Sequence, residues 1–272
     1  REKESLTPSE RQIAEQLESK FRVRFYDFVV SPPSGEFRDC RGFEFPRLDW
    51  RGANFTETMN FSFANFCQGI EFGNDVVFEK HVSFHRAVFA SAFFYSVVFK
   101  QGVSFELASF LEKAYFNAVD FGGTANFHGA QFPNETLSFH LSTFRQALFS
   151  KVTFGNLFGS EERHLADFSS VVFKGAARFD GSTFNIRAVF TSSSLCQEAN
   201  FTDATFFQSA NFQFAEFKGA TKFWKTTFSR DVTFGSATFA GEANYIGTIF
   251  KNWSDFQRLR IAKDAVLRFD RV

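Results

Sequence analysis

Between residues 168 and 256 a large apolar side chain recurs at every fifth or sixth position: Phe168, Phe173, Phe179, Phe184, Phe190, Leu195, Phe201, Phe206, Phe212, Phe217, Phe223, Phe228, Phe234, Phe239, Tyr245, Phe250 and Phe256. Two positions before almost every one of these stands a small or β-branched residue, such as Ala166, Val171, Ala177, Ala199, Thr226 or Val232. Intervals of five and six alternate, so the true period is eleven residues. An α-helix does not fit, because a residue five positions on lies about 140° around a helix and the two Phe sets would occupy separate faces. The intervening Gly, Ser, Thr, Asn and Val are poor helix formers and suit short strands and turns.

An extended backbone fits. In a triplet such as Ala199-Asn200-Phe201 the first and third side chains point to one side and the second to the other. The small residue and the ring therefore go in together, and the middle residue faces water. Repeated with a corner every few residues, this winds an all-β solenoid around a stack of Phe rings. The ladder continues upstream through Phe55, Phe61, Phe66, Phe72, Phe78, Phe84, Phe89, Phe94, Phe99, Phe105, Phe110, Phe116, Phe121, Phe127, Phe132, Phe139, Phe144, Phe149 and Phe154. About ten coils at the strand spacing of ~4.8 Å give a rod about 48 Å long.

Two intervals break the rhythm. Seven residues separate Phe132 from Phe139, and fourteen separate Phe154 from Phe168. The longer one is expected to leave a corner as a loop with Glu161, Glu162, Arg163 and His164 at its tip. Upstream of the repeat, residues 1–36 read as an N-terminal cap. Thr7 as N-cap, Pro8 at the first helical position and Glu10 closing a capping box predict a helix over about 8–20. A strand and a loop follow. The repeat proper spans 37–256. Residues 257–272 read as a last, less regular coil or as a C-terminal cap, with Ile261, Leu267 and Val272 continuing the rhythm.

Composition sharpens this picture: 46 of 272 residues are Phe, against four Tyr, three Trp and one Met. Thirty basic and thirty acidic side chains cancel. That balance removes both the field of a nucleic-acid binder and that of a nucleic-acid mimic, unless acids gather on one face. Three isolated cysteines, Cys40, Cys67 and Cys196, support neither a disulfide framework nor a metal site and suit a reducing, cytoplasmic setting. No apolar run is long enough to span a membrane. The chain opens on Arg, so a leader or a further domain is expected to have been removed, and a longer, membrane-anchored protein is one possible context.

The segments "LDWRGANFTE" (48–57), "FANFCQG" (63–69), "EANFTDATF" (198–206) and "SANFQFAEFKGATKF" (209–223) resemble the pentapeptide repeat proteins, whose consensus is Ala, Asp/Asn, Leu/Phe and two free positions. The resemblance covers residues 37 to 256. It implies a right-handed quadrilateral β-helix with four short faces per coil, and it implies either a binding role or inhibition and protection of DNA gyrase-like enzymes by imitating duplex DNA. This chain departs from the family in using about 22 residues per coil instead of 20, and the extra residues belong in alternate corners.

Chemistry is nearly absent from the pattern. His85, His128 and His140 each follow a ladder Phe and point outward, with His85 and His128 two coils apart. Of five N-x-S/T sequons, at Asn54, Asn60, Asn134, Asn200 and Asn252, four contain the repeat's own polar-aromatic-Ser/Thr pattern, so coincidence explains them better than glycosylation. No catalytic set, cofactor or metal is expected. The outward aromatics are the informative exceptions: Trp224 and Ile246 should be neighbours on one face, Phe207 lies elsewhere near the same end, and Phe93 and Tyr95 flank Phe94. The expected function is a non-catalytic protein-interaction scaffold with an unidentified protein partner, no direct nucleic-acid contact, and a homodimer through a terminal cap as a further option.

Overall fold

The computed structural model describes residues 7–9, 11–13, 15–16, 38–46, 50, 52–133, 135–156 and 164–270. Strands run from Arg38–Asp39 to Leu267–Arg268, most of them two residues long, and every pairing between them is parallel. The strands fall into four columns, which form the four faces of a β-solenoid of about ten coils. The first face is typified by Asn54–Phe55, the second by Met59–Asn60, the third by Asn65–Phe66 and the fourth by Ile70–Phe72. Each residue pairs with one a full coil onward, as Ala177 does with Ala199 and Ala199 with Thr221.

The core is the ladder. Phe168, Phe173, Phe179, Phe184, Phe190, Phe201, Phe206, Phe212, Phe217, Phe223, Phe228, Phe234 and Phe239 are all at most 1 % exposed. Rings on the same face stack in parallel, Phe168 on Phe190 at 4.8 Å and Phe184 on Phe206 at 4.4 Å. Rings of the second and fourth faces meet edge to face across the centre, Phe179 against Phe190 at 5.4 Å and 87°. Both arrangements suit the ring quadrupole, and a face-to-face sandwich never has to bear the whole core. Cys40, Phe45 and Trp50 begin the ladder upstream of Phe55, one coil before Phe61, Phe66 and Phe72, with Phe45 stacked on Phe66 at 4.8 Å.

Two kinds of corner alternate, and they explain the alternating intervals. After the second and fourth faces the ladder carbonyl accepts the N–H three residues on, Ala204 to Phe201 at 3.0 Å and Ala215 to Phe212 at 3.1 Å. The residue before that donor has a positive φ, 56° at Asp203 and 57° at Phe214, as the third position of a type II turn requires. These tight corners give the five-residue units. The other two corners are wider, mostly lack the left-handed residue, with Gly69 and Gly155 as exceptions, and between residues 168 and 256 hold the sixth residue. Strands Asp120–Asn126 and Thr143–Leu148 are exceptions, each running through the corner between the first and second faces.

Where the inward position before the ring carries a hydroxyl, a backbone carbonyl receives it, in its own coil for Ser193, which donates to Phe190 O at 2.8 Å, and one coil away in other cases. Ser142 donates to Phe116 O at 2.5 Å and Thr226 to Phe201 O at 2.7 Å, and Ser182 donates to Phe149 O. Buried polar groups stay satisfied in this way.

At the amino-terminal side, residues 8–9, 11–13 and 15–16 are helical, and the Arg11 N–H bonds Thr7 O at 2.9 Å. Every described residue of this helix is exposed. Glu10 of the expected capping box and residues 17–37 lie outside the described residues. At the other side, Arg260–Ile261 and Leu267–Arg268 form the last strands. Here the rhythm departs from expectation: Phe269 stacks on Tyr245 at 4.9 Å, while Leu267 pairs with Ala243 in the position two before the ring. The wide corner preceding it is longer than its predecessors, which shifts the ladder residue from 267 to 269. Val272 lies outside the described residues.

Candidate interaction surfaces

The solenoid turns most outward positions into repeats of small polar side chains, so any distinctive surface must come from a break in the pattern. The longest break leaves the corner between Thr153–Phe154 on the third face and Leu165–Asp167 on the fourth. Glu161, Glu162 and Arg163 lie outside the described residues. His164 stands at the returning end of the insertion, with its Nδ1 buried and unpartnered. The departing end is fixed by the Asn185 amide, which donates to Gly155 O at 2.8 Å within a buried corner.

Trp224 and Ile246 occupy the same outward column of the second face on successive coils; the Lys225 N–H bonds Ile246 O at 3.0 Å and the Asp203 N–H bonds Trp224 O at 2.9 Å. Trp224 is 43 % exposed, and the Lys225 ammonium lies over its ring at 4.3 Å. Phe207 follows Phe206 on the third face, away from that column, and is 40 % exposed. The structure therefore brings Trp224 and Ile246 together and leaves Phe207 apart.

Two further outward aromatics escape a reading based on ladder neighbours alone. Phe63 and Phe214 occupy the left-handed position of tight corners, with φ of 60° and 57°, and are 53 % and 58 % exposed. Their signal is their phase, two residues after a ladder ring. A third group lies on the fourth face, where Phe93, Tyr95 and Tyr115 are neighbours: ring centroids are 6.1 Å apart for Phe93 and Tyr95 and 5.7 Å for Phe93 and Tyr115. Burial, followed by the nearby Tyr115 and Glu71, raises the Tyr95 hydroxyl above its ordinary pKa.

Surface charges are interleaved between coils. Lys80 meets Glu57 at 2.6 Å, Lys100 meets Glu79 at 2.8 Å and Lys222 meets Glu198 at 2.9 Å, all along the wide corner between the first and second faces. His85 and His128 share an outward column of the second face, with Glu106 on the coil between them and 3.8 Å from His85 Nδ1. His140 lies on the fourth face, its Nδ1 bonded to Ser169. Among the described residues no group of His, Cys, Asp and Glu is arranged to hold a metal ion. The three cysteines are free, and burial pushes the Cys40 thiol up to about 12. No described helix is long and apolar enough to cross a membrane.

The last coil is the largest departure from a sealed surface. Described ladder rings up to Tyr245 are buried and Phe250 and Phe256 partly so, whereas Ile261 and Phe269 are each 50 % exposed. Beside them Ile249, Trp253 and Val266 are also exposed. Comparison with protein-family models and with curated proteins finds no match to this chain.

Proposed function

We propose that this chain is a non-catalytic scaffold for protein–protein interaction, a rigid rod that presents a few distinctive patches on otherwise uniform walls. The observation that carries this reading is the set of large side chains turned outward although the ladder already fills the core: Trp224, Ile246, Phe207, Phe63 and Phe214. Large side chains of this kind, Trp above all, supply most of the energy at protein interfaces. Free cysteines suit a reducing, cytoplasmic location. Imitation of duplex DNA needs acidic residues in columns, and the coil-to-coil pairing of Glu57, Glu79 and Glu198 with Lys80, Lys100 and Lys222 weighs against it.

The test replaces residues 159–165 with a short Gly-Ser turn and, separately, changes Trp224 to Ala. Neither change removes a core ring, so both variants should fold. A pull-down from the native host should then recover the partner with the wild type and weaken by about 1 kcal/mol or more in at least one variant. Equal recovery by all three at matched thermal stability would remove both surfaces from the proposal.

A further inference from the structure

On most rungs the strand is two residues long and the outward side chains flanking the ladder ring are small or polar. The fourth face differs where Ala92–Tyr95 and Ala114–Asn117 are each four residues long and pair at all four positions. Each of these rungs presents two outward side chains: Phe93 with Tyr95, and Tyr115 with Asn117. The Phe93 and Tyr95 rings are within 15° of parallel, and the Tyr115 ring is tilted by 53° to Phe93. None of the three is needed inside, where Phe94 and Phe116 are fully buried and stack at 4.8 Å.

Three observations give this aromatic patch a preference. The first is charge. Glu71 is the register neighbour of Phe93, and Asp75, Glu112 and Glu135 stand in the flanking corners of adjacent coils, all exposed, against Lys113 as the one Lys or Arg there among the described residues. In a chain with thirty charges of each sign this is a local excess of carboxylates. The second is what covers the rings. Elsewhere the protein places its own cation on an outward ring, Arg86 over Phe63 at 5.8 Å and Lys225 over Trp224 at 4.3 Å. Among the described residues no Arg or Lys lies over Phe93, Tyr95 or Tyr115. The third is an unpaired acceptor: Asn117 Oδ1, beside Tyr95 in register, is buried without a hydrogen-bond partner.

Electron-rich ring faces, a carboxylate rim and a buried acceptor in need of a donor all complement a cationic hydrogen-bond donor. The geometry points to this patch as a docking site for a basic peptide segment, with an arginine or lysine head group seated on Phe93 and Tyr115 and donating toward Asn117. A single free cation is too weak a ligand here, since an exposed cation–π contact gains little over hydration in water. The carboxylates are spread over several rungs, so a segment carrying more than one basic residue engages ring and rim together. This inference rests on the scaffold reading and gives it one partner chemistry.

The experiment titrates the whole chain with a blocked octapeptide of alternating Arg and Ser, and with the same peptide carrying Glu in place of Arg, following heat and the ring resonances of Phe and Tyr. The arginine peptide should bind saturably and shift the rings of Phe93, Tyr95 and Tyr115, and the glutamate peptide should not bind. The double variant Phe93→Ser/Tyr115→Ser should bind about tenfold more weakly. Glu112→Gln/Glu135→Gln should lose mainly the salt-sensitive part of the affinity. Ring shifts in the wild type keep the test decisive even where a variant loses stability. Absence of saturable binding, equal binding of the glutamate peptide, or shifts elsewhere on the rod would overturn the assignment. None of these outcomes touches the scaffold reading, which is decided by the pull-down.

Discussion

Asn200 Oδ1 accepts the backbone N–H of Thr202 at 3.0 Å, so that the polar side chain spans the ladder residue Phe201 lying between them. The same contact is made by Asn60, Asn126, Asn211 and Asn244, and by Asp167 and Asp255. All of these residues are on the second and fourth faces, the ones followed by tight corners. A short acceptor that bonds a backbone N–H two residues on is a turn in miniature, and it pins the chain just before it enters the left-handed corner.

The middle residue of the triplet is therefore not a free surface site on these faces. Asn200→Ala should cost about 1 kcal/mol, the worth of a typical hydrogen bond, where an uncommitted surface position would cost under about 0.5. Phe201→Ala should cost about 3–5 kcal/mol, because parallel neighbours at 5.0 Å above and below hold the void open. Urea titration of both variants decides it, and equal losses would mean that inward and outward positions have been assigned wrongly.

Glycines in the two kinds of corner should respond differently to a methyl group. Gly181 has φ of +64° with only the Lys151 side chain near its missing Cβ, so Gly181→Ala meets backbone strain of about 1 kcal/mol. A Cβ on Gly175, in a wide corner, would lie 2.0 Å from Arg145 O in the adjacent coil. Gly175→Ala must push two coils apart and should lower the melting temperature by clearly more than Gly181→Ala. A larger effect at Gly181 would contradict the close approach.

Thiol titration gives an independent reading of the first coil. Cys67 and Cys196 reach solvent, whereas Cys40 is fully buried and its pKa is raised to about 12 by burial. At pH 8 the native protein should titrate Cys196 and, more slowly because burial and Glu44 raise its thiol, Cys67, and the third only after denaturation, since thiolate is the reactive form. Three thiols reacting before denaturation would show that the first coil does not enclose Cys40.

Self-association, for which a terminal surface was the expected route, is now testable at one named place. Phe269→Asp places a charge on the half-exposed ring of the last rung. Light scattering should show any concentration-dependent dimer of the wild type reverting to monomer in this variant. A dimer that survives the change uses another surface.

Much of this architecture was legible because each ladder ring is marked twice, by its own size and by the small residue two positions earlier. The helix start at Thr7 was legible for a similar reason, a cap and a proline in sequence. Less was visible wherever a corner changed length. Extending the rhythm placed Leu267 in the ladder, but the longer wide corner before it delivers Phe269 there instead, and no propensity marks a two-residue shift in a solvent-facing corner. Among the candidate surfaces, Trp224 and Ile246 were legible as neighbours from the coil length. Tyr115 and Asn117 were not, because their role depends on a strand that stays extended for four residues on two successive coils, which is decided by pairing across the wall.

The exposure of Ile261 and Phe269 gives the rod a direction in which to come apart. A coil in this fold is held only by the coils on either side, so a rung with one neighbour opens more easily than a rung with two. Amide exchange should run fastest in the strands at 260–261 and 267–268 and slow down coil by coil toward the sealed rings of Phe45 and Phe66. Wherever that rung is left uncovered the rod loosens from it coil by coil, so its resistance to heat, force or proteases follows what packs on Phe269 more than the depth of Phe in its middle.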